Sequence, residues 1–456
     1  MNSYRQRSLN PAIRNGAQMR TQVDVEPFKI IVLLLLHIGL AYLMRTLTIV
    51  ATVHGWAVLL VGVWIALTAK DERKVIPVVA YITGAEVLWR MTDAGVLWEF
   101  GKYATAAIMI ISLLRRKKGL KNAALPILFI LLFLPSIILT IDAFGLTEMT
   151  RELISFNLSG PLATGIYLLY FLQLEMDDQL VSKTVWNAVY PIIGILFLAF
   201  YSTVTATEIE FGSESVFRTS GGYGPNQVSA VLGLGALLLI MLSIQAGKRK
   251  GRLLGFFLAL GLITQSFLTF SRGGIYNFVI ALGGALLILA LKGTRSFRGL
   301  MIVLIFALIV MFVVIPQIEQ LTGGAFSARF TDMDLASRED LALADLNLFI
   351  KNPLIGIGPG MASFQRSFSQ IIANHTEFTR ILAEHGSLGA LALLILVYYL
   401  IRAFFKAPGV FAKAWVVAFA FWAMVEMAHA AMRIVAIPLM LGLAVVTWKK
   451  DGEPSI

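Results

Sequence analysis

The sequence predicts an all-α fold, a polytopic bundle of transmembrane helices. Three observations carry the prediction: an apolar composition, apolar residues gathered into span-length blocks, and basic residues gathered into the short loops between blocks. Of 456 residues, 58% are hydrophobic and 14% charged, with a mean hydropathy of +0.79. A soluble domain is nearer about half apolar and about a quarter charged. The runs 28–44, 125–141 and 300–316 each approach the ~20 residues that cross a ~30 Å hydrocarbon core. Backbone amides in lipid must be satisfied within the segment, so such runs are helices. The alternating segments of a transmembrane β-barrel are absent.

Fourteen spans are predicted, at 28–44, 48–68, 75–91, 103–114, 125–141, 158–174, 186–204, 226–246, 253–270, 274–291, 300–316, 387–401, 412–427 and 430–447. The third, fourth and sixth carry the weakest signal. Merged or re-entrant segments would bring the total to twelve or thirteen. The chain then divides into an N-terminal tail (1–27), eleven spans with short loops (28–316), a large loop (317–386), three further spans (387–447) and a C-terminal tail (448–456).

The net charge of +11 does not point to nucleic acid, because of where it lies. Basic residues collect at 70–74, 115–121, 248–252, 292–298 and 402–413, which is the positive-inside pattern. With the basic N-terminus in the cytoplasm, fourteen crossings put these loops and both termini on the cytoplasmic side. A missed crossing would invert every later loop, so the pattern favours an even count. Twelve of the 38 Lys and Arg residues fall outside or at outer span ends, and all but Lys102 and Lys351 are Arg. Arg binds phosphate bidentately, so the bias hints at an anionic ligand there; ordinary surface Arg is the bland alternative. The chain has no cysteine, which excludes disulfides, thiolate metal sites and a Cys nucleophile. The first apolar run has no small-residue cleavage site after it and reads as a true span.

The large loop is too long for a simple connector. Ser337 is a candidate N-cap, with Asp340 three residues on, for an amphipathic helix to Ile350. The stretch Asn352-Pro353-Leu354-Ile355-Gly356-Ile357-Gly358-Pro359-Gly360 breaks that helix. A second helix is expected from about Asn374 to Gly386, a natural C′ residue.

Four groups on the outer side could carry chemistry. Arg272, in the turn Thr269-Phe270-Ser271-Arg272-Gly273-Gly274, sits where a lipid phosphate would lie; the alternative is an Arg snorkelling to headgroups. Arg218 precedes the Gly-rich stretch to Asn226. Its amides could form an anion nest, with Tyr223 and Asn226 as candidate substrate contacts and Asn226 as a cap for the next span, or it is a flexible turn. His375, in Asn374-His375-Thr376-Glu377, lies at a helix N-terminus that disfavours its cation, so it stays neutral as a general base must. Glu377 could orient it; a capping or surface His is the alternative. Arg338, in a first helical turn, opposes the dipole and needs a partner, either Glu339 or a ligand phosphate. No Walker loop, zinc pattern or Gly-x-Ser-x-Gly elbow is present, so neither metal nor cofactor is expected. The embedded acids Glu86, Glu175 and Glu426 lie near span ends, which weakens a transporter reading.

The motifs Asn352-Pro353-Leu354-x-Gly356-x-Gly358, Asn374-His375-Thr376-Glu377-Phe378 and Ile381-Leu382-Ala383-Glu384-His385-Gly386-Ser387-Leu388-Gly389, with the Ser271-Arg272 turn and Gly224-Pro225-Asn226, resemble the bacterial O-antigen ligase and polysaccharide polymerase superfamily over about residues 215–400. The resemblance implies a GT-C-like, metal-independent inverting glycosyltransferase of the bacterial inner membrane, working on the periplasmic side. The implied donor is a glycan on undecaprenyl diphosphate. The implied acceptor is lipid A–core for a ligase or a lipid-linked repeat unit for a polymerase. Membrane lipids are partners and nucleic acid is not. Carried over by position, His375 is the base and Arg272, with Arg218 and Arg338, grips the diphosphate. Two features depart from the family. Fewer spans are usual there, the extra pair falling in the N-terminal 120 residues, and Asn374 precedes the His where relatives often carry Asn after it. The ligase reading leads, a polymerase is the alternative, and a lipid-linked glycan flippase comes third, since it would line a central path with charge.

Overall fold

The structure is a computed structural model that describes residues 27–212, 214–245, 249–291, 294–331, 336–366 and 376–449. Its helices are α1 (Pro27–Thr46), α2 (Thr48–Thr68), α3 (Val75–Met91), α4 (Phe100–Arg115), α5 (Ala124–Leu131), α6 (Ile137–Phe144), α7 (Glu148–Phe171), α8 (Asp178–Val204), α9 (Pro225–Gln245), α10 (Arg249–Leu268) and α11 (Arg272–Ala290). Next, α12 (Thr294–Ile309) runs through a π-helical turn, Val310–Val314, into α13 (Ile315–Leu321). The large loop holds α14 (Ala325–Thr331), α15 (Ala336–Lys351) and α16 (Ala362–Gln365), and α17 (Glu377–Lys406), α18 (Gly409–Ala430) and α19 (Ala436–Val445) follow. Among the described residues, ten helical stretches are long and apolar enough to cross a membrane. The fold is an all-α, polytopic membrane bundle. The shorter α3, α4 and α19 and the broken α5–α6 pair are not among the ten but pack against them.

Small residues let the central helices touch. A Cβ at Gly233 of α9 would lie 2.4 Å from the Gly274 carbonyl oxygen of α11, and one at Gly274 would lie 2.2 Å from the Ser229 oxygen. Such close backbone approach is how helices associate where lipid removes the hydrophobic drive. Accordingly α9 is almost wholly buried, whereas α1 and α2 keep most of their apolar surface outward. Polar contacts pin that outer pair. Trp89 Nε1 donates to His54 Nδ1 at 2.9 Å, and Tyr81 Oη lies 2.9 Å from His54 Nε2 and 3.1 Å from His37 Nε2.

One face of the bundle is closed by short polar links. Strand β1 (Glu175–Met176) pairs in parallel with β2 (Thr447–Trp448), Glu175 opposite Thr447. Arg73 meets Asp71 and Asp177, and Arg116 meets Glu72 at 2.5 Å. The other face carries loops 92–99, 205–224, 269–271, the large loop and the turn 431–435.

Several expectations need correction. The span expected at 125–141 is two helices, α5 and α6. Pro135 cannot donate to the helical ladder and its ring clashes with the carbonyl four residues back, where α5 ends. Ser337 is not an N-cap, because α15 already begins at Ala336. Asn226 is not a cap either, since α9 begins at Pro225. The helix expected to stop at Gly386 instead bends there, with φ +60°, and continues as α17 to Lys406. The span expected at 430–447 is the ten-residue α19.

The Asn352–Gly360 stretch explains the bend. Gly356, Gly358 and Gly360 all have positive φ, and this backbone docks on α17. The Ile357 amide donates to Ala383 O at 3.1 Å, Gly358 to Glu384 O at 3.0 Å, and Ser387 to Pro353 O at 2.7 Å. A Cβ at Gly386 would lie 2.6 Å from the Gly356 nitrogen. Gly386→Ala therefore meets both a left-handed backbone and a steric clash. It is expected to cost about 1–3 kcal/mol and to lower the thermal midpoint of the purified protein, which thermal unfolding in detergent would read; an unchanged midpoint would contradict the docking.

Candidate active site

The turn between α18 and α19 is the centre of the site. α18 ends at Ala430, and Ala431 takes φ +52°, unusual for a residue with a Cβ. α19 has ten residues and rises only ~15 Å, half of a ~30 Å hydrocarbon core. Irregular backbone buried within the bundle needs protein partners, and charged side chains supply them. Glu377 Oε2 accepts from the Met432 amide at 3.2 Å, Glu86 Oε2 accepts from the Val435 amide at 2.7 Å, and Arg90 Nη1 donates to Arg433 O at 3.1 Å.

Two guanidinium groups are spent on this framework. Arg90 also donates to Gln227 Oε1 at 2.7 Å, Glu86 Oε1 at 3.1 Å and Trp98 O at 2.9 Å. Arg380, buried, donates to both oxygens of Glu377, to Glu384 Oε2 at 2.6 Å and to Asn157 O at 3.0 Å. Beside them Lys102 is buried against Glu99 and Ser159.

A second group surrounds the turn between α10 and α11. Phe270 has φ +58° and is buried against Phe211 and Phe326. Ser271 Oγ donates to Asn226 Oδ1 at 2.8 Å, and the Ser271 carbonyl accepts from Ser229 Oγ at 3.1 Å. Half-buried Arg272 opens α11. A Cβ on the next residue, Gly273, would lie 2.3 Å from His429 Cε1, so only glycine lets the imidazole pack there. Asn277 donates from its amide nitrogen to Glu426, which turns its oxygen to His429 Nε2 at 2.9 Å. His429 Nε2 also lies 3.4 Å from Glu426 Oε2, so in the neutral tautomer the proton sits on Nε2 and Nδ1 is the acceptor.

Arg433 joins the two groups. Burial lowers the pKa of its guanidinium, while Glu377 and Glu426 raise it and Arg380 opposes them; the group stays protonated at any working pH. Sequence reasoning missed Arg433 as a site residue. Its signal was an Arg inside a predicted span, which is expensive unless functional. It likewise missed Arg90, Trp98 and the Glu426–Asn277–His429 chain.

The structure brings together some of the sequence candidates. Arg272 and Asn226 share one corner through Ser271. Tyr223 lies next to it, donating to Gln227 Oε1 at 3.3 Å, and burial pushes its phenol pKa up. Glu377 is buried at the start of α17 on Arg380 and Met432. Arg218 is exposed in a short 3₁₀ turn. The anion nest expected there is not formed, because the amides of Ser220, Gly221 and Gly222 are taken by the carbonyls of Phe217 and Arg218. Arg338 lies in the first turn of α15. His375 and Asn374 lie outside the described residues. The residues flanking that stretch share one anchor: Asp345 accepts from Arg366 at 2.8 Å and from Thr379 Oγ1 at 2.9 Å. His385 is not exposed to the site; it is buried on Phe133, with Nδ1 2.6 Å from Ser136 Oγ. Among the described residues, no three His, Asp or Glu side chains converge as a metal-ligand set.

Arg380→Ala leaves two buried carboxylates without their cation and is expected to destabilise the protein by about 3–5 kcal/mol. Chemical denaturation in detergent would read this, and a loss below about 1 kcal/mol would show that the pairing does not hold the framework.

No curated protein matches the chain. Residues 257–394, from α10 to the middle of α17, match the family model described as O-Antigen ligase. That stretch contains the Arg272 turn, the docked Asn352–Gly360 backbone and Glu377, and over it the chain is similar to the O-antigen ligase family.

Proposed function

We propose that the protein is an O-antigen ligase, moving a glycan from undecaprenyl diphosphate to a hydroxyl of lipid A–core. In this reading it sits in the bacterial inner membrane with both termini cytoplasmic and the large-loop face periplasmic. The observation that carries it is the family match over residues 257–394, which holds Arg272 at the start of α11. Arg90 and Arg380 hold the framework, and Arg272, with Arg433 in the neighbouring turn, is the proposed grip on the diphosphate.

The chemistry asks little else of the protein. A base takes the proton of the acceptor hydroxyl while its oxygen forms a bond to the anomeric carbon. The bond from that carbon to the diphosphate oxygen breaks, and undecaprenyl diphosphate leaves with the electron pair. Attack opposite the leaving group inverts the centre. Arg forks stabilise the charge that develops on the diphosphate, and the donor brings its own energy, so no cofactor is needed. His375 is the proposed base. His429 is a second candidate, because the Asn277–Glu426 chain fixes its tautomer with Nδ1 left to accept. The embedded ion pairs Glu86–Arg90 and Glu377–Arg380 gather toward the large-loop face, which favours an enzyme over the flippase alternative.

Purified protein with undecaprenyl-diphosphate glycan tests the reading. Transfer is expected with lipid A–core added and insensitive to EDTA; elongation with donor alone would make it a polymerase. His375→Ala is expected to lower kcat about 10²–10⁴-fold. Arg272→Ala is expected to raise the donor KM about tenfold or more, the loss of one charge-assisted contact. A His375→Ala enzyme at full rate beside an inactive His429→Ala enzyme would move the base to His429.

A further inference from the structure

We infer that Trp98 and Tyr223 form a sugar-ring subsite at the rim of the active site, so that the loop between α3 and α4 takes part in choosing the glycan. The inference rests on reading the protein as a transferase of lipid-linked glycans. It adds a binding residue from outside the family-matched region, which begins only at 257.

Trp98 is 56% exposed, yet it is fixed in place. The Arg90 guanidinium lies 5.0 Å from its ring centroid, and the same Arg holds its carbonyl at 2.9 Å. Arg90 is itself anchored on Glu86, Gln227 and Arg433 O. The loop is tied again where the Gly95 amide donates to Thr52 Oγ1 at 2.7 Å. The Tyr223 ring stands 6.4 Å away, tilted by 48°. Together the two rings present an aromatic corner rather than a flat stack.

Polar groups border that corner. Arg90 and the Tyr223 hydroxyl both donate to Gln227 Oε1, and Arg90 also reaches the Tyr223 oxygen, so the Gln227 amide nitrogen can still donate to a sugar hydroxyl. A pyranose has the matching chemistry: one face of C–H groups, drawn to the negative face of an aromatic ring, and a rim of hydroxyls that both donate and accept. An interfacial Trp that anchors to lipid headgroups would have no need of Arg90 beneath it or of Tyr223 and Gln227 beside it. The occupant is a sugar ring of either donor or acceptor.

The probe is the free oligosaccharide released by mild acid from the host's own lipid-linked donor, offered to the full-length protein in nanodiscs and read by saturation-transfer NMR. Trp98→Ala is expected to weaken binding about tenfold, the scale of a lost aromatic contact. Trp98→Phe is expected to restore most of it, while Trp98→Leu, which keeps an apolar anchor, does not. In transfer assays the KM rises for whichever substrate the subsite holds, donor or acceptor, with kcat little changed. Wild-type binding by Trp98→Ala, or full rescue by Trp98→Leu, overturns the subsite, as does a wild-type protein that fails to bind the oligosaccharide. Trp98-dependent binding by a protein that transfers nothing would uphold the subsite and overturn the transferase reading instead.

Discussion

The backbone from Ala431 to Val435 leaves its helix within a bundle of apolar side chains, and the site depends on how that backbone is satisfied. Carboxylates from α3 and α17 take two of its amides, and a guanidinium from α3 takes a carbonyl. In hydrocarbon an unmet amide or carbonyl costs several kcal/mol, so the turn cannot exist without Glu86, Glu377 and Arg90. Those three are held in place by Arg380, Gln227 and one another. The half-length α19 follows directly on that turn, while the bend at Gly386 is set by the docked Asn352–Gly360 backbone.

This divides the arginines of the large-loop face by duty. Arg90 and Arg380 have nearly all their donors committed to protein acceptors and act as framework. Arg272 follows a strained Phe270, and Arg433 follows a strained Ala431. Strained backbone persists only where its surroundings over-determine it. Here it lies two residues before each of the two guanidinium groups the proposed chemistry would use. The turns are thus held in shape before any substrate arrives, which electrostatic stabilisation of a leaving group requires.

The fold class was legible because composition and block length suffice to identify membrane helices. Span edges were not, where long-range partners decide them. Nothing local marks α19 as half-length, since Leu439 and its neighbours are as apolar as any span. The Ser271–Asn226 link was foreshadowed by two Gly-rich turns, but only the packing of Gly233 on Gly274 brings them together. The Gly-rich stretch after Arg218 looked like an anion nest because sequence shows flexibility and not where amides point. Arg90 and Trp98 were invisible because their meaning lies in partners such as Gln227 and Tyr223, distant in the chain. His375 stood out from its helix-start context alone.

The clamp also constrains how the chain enters the membrane. Val435, which Glu86 finally holds, is 349 residues further along, and Arg433, whose carbonyl Arg90 meets, is 343 residues beyond that Arg. During synthesis α3 must therefore reside in the bilayer long before its final partners exist. Glu86 and Arg90 are four residues apart on one helix and pair with each other, so each screens the other's charge in the interval. The ion pair is thus an escort as well as a clamp. It carries two charges into lipid together and later opens its remaining lone pairs and donors to a backbone that arrives from the far end of the fold.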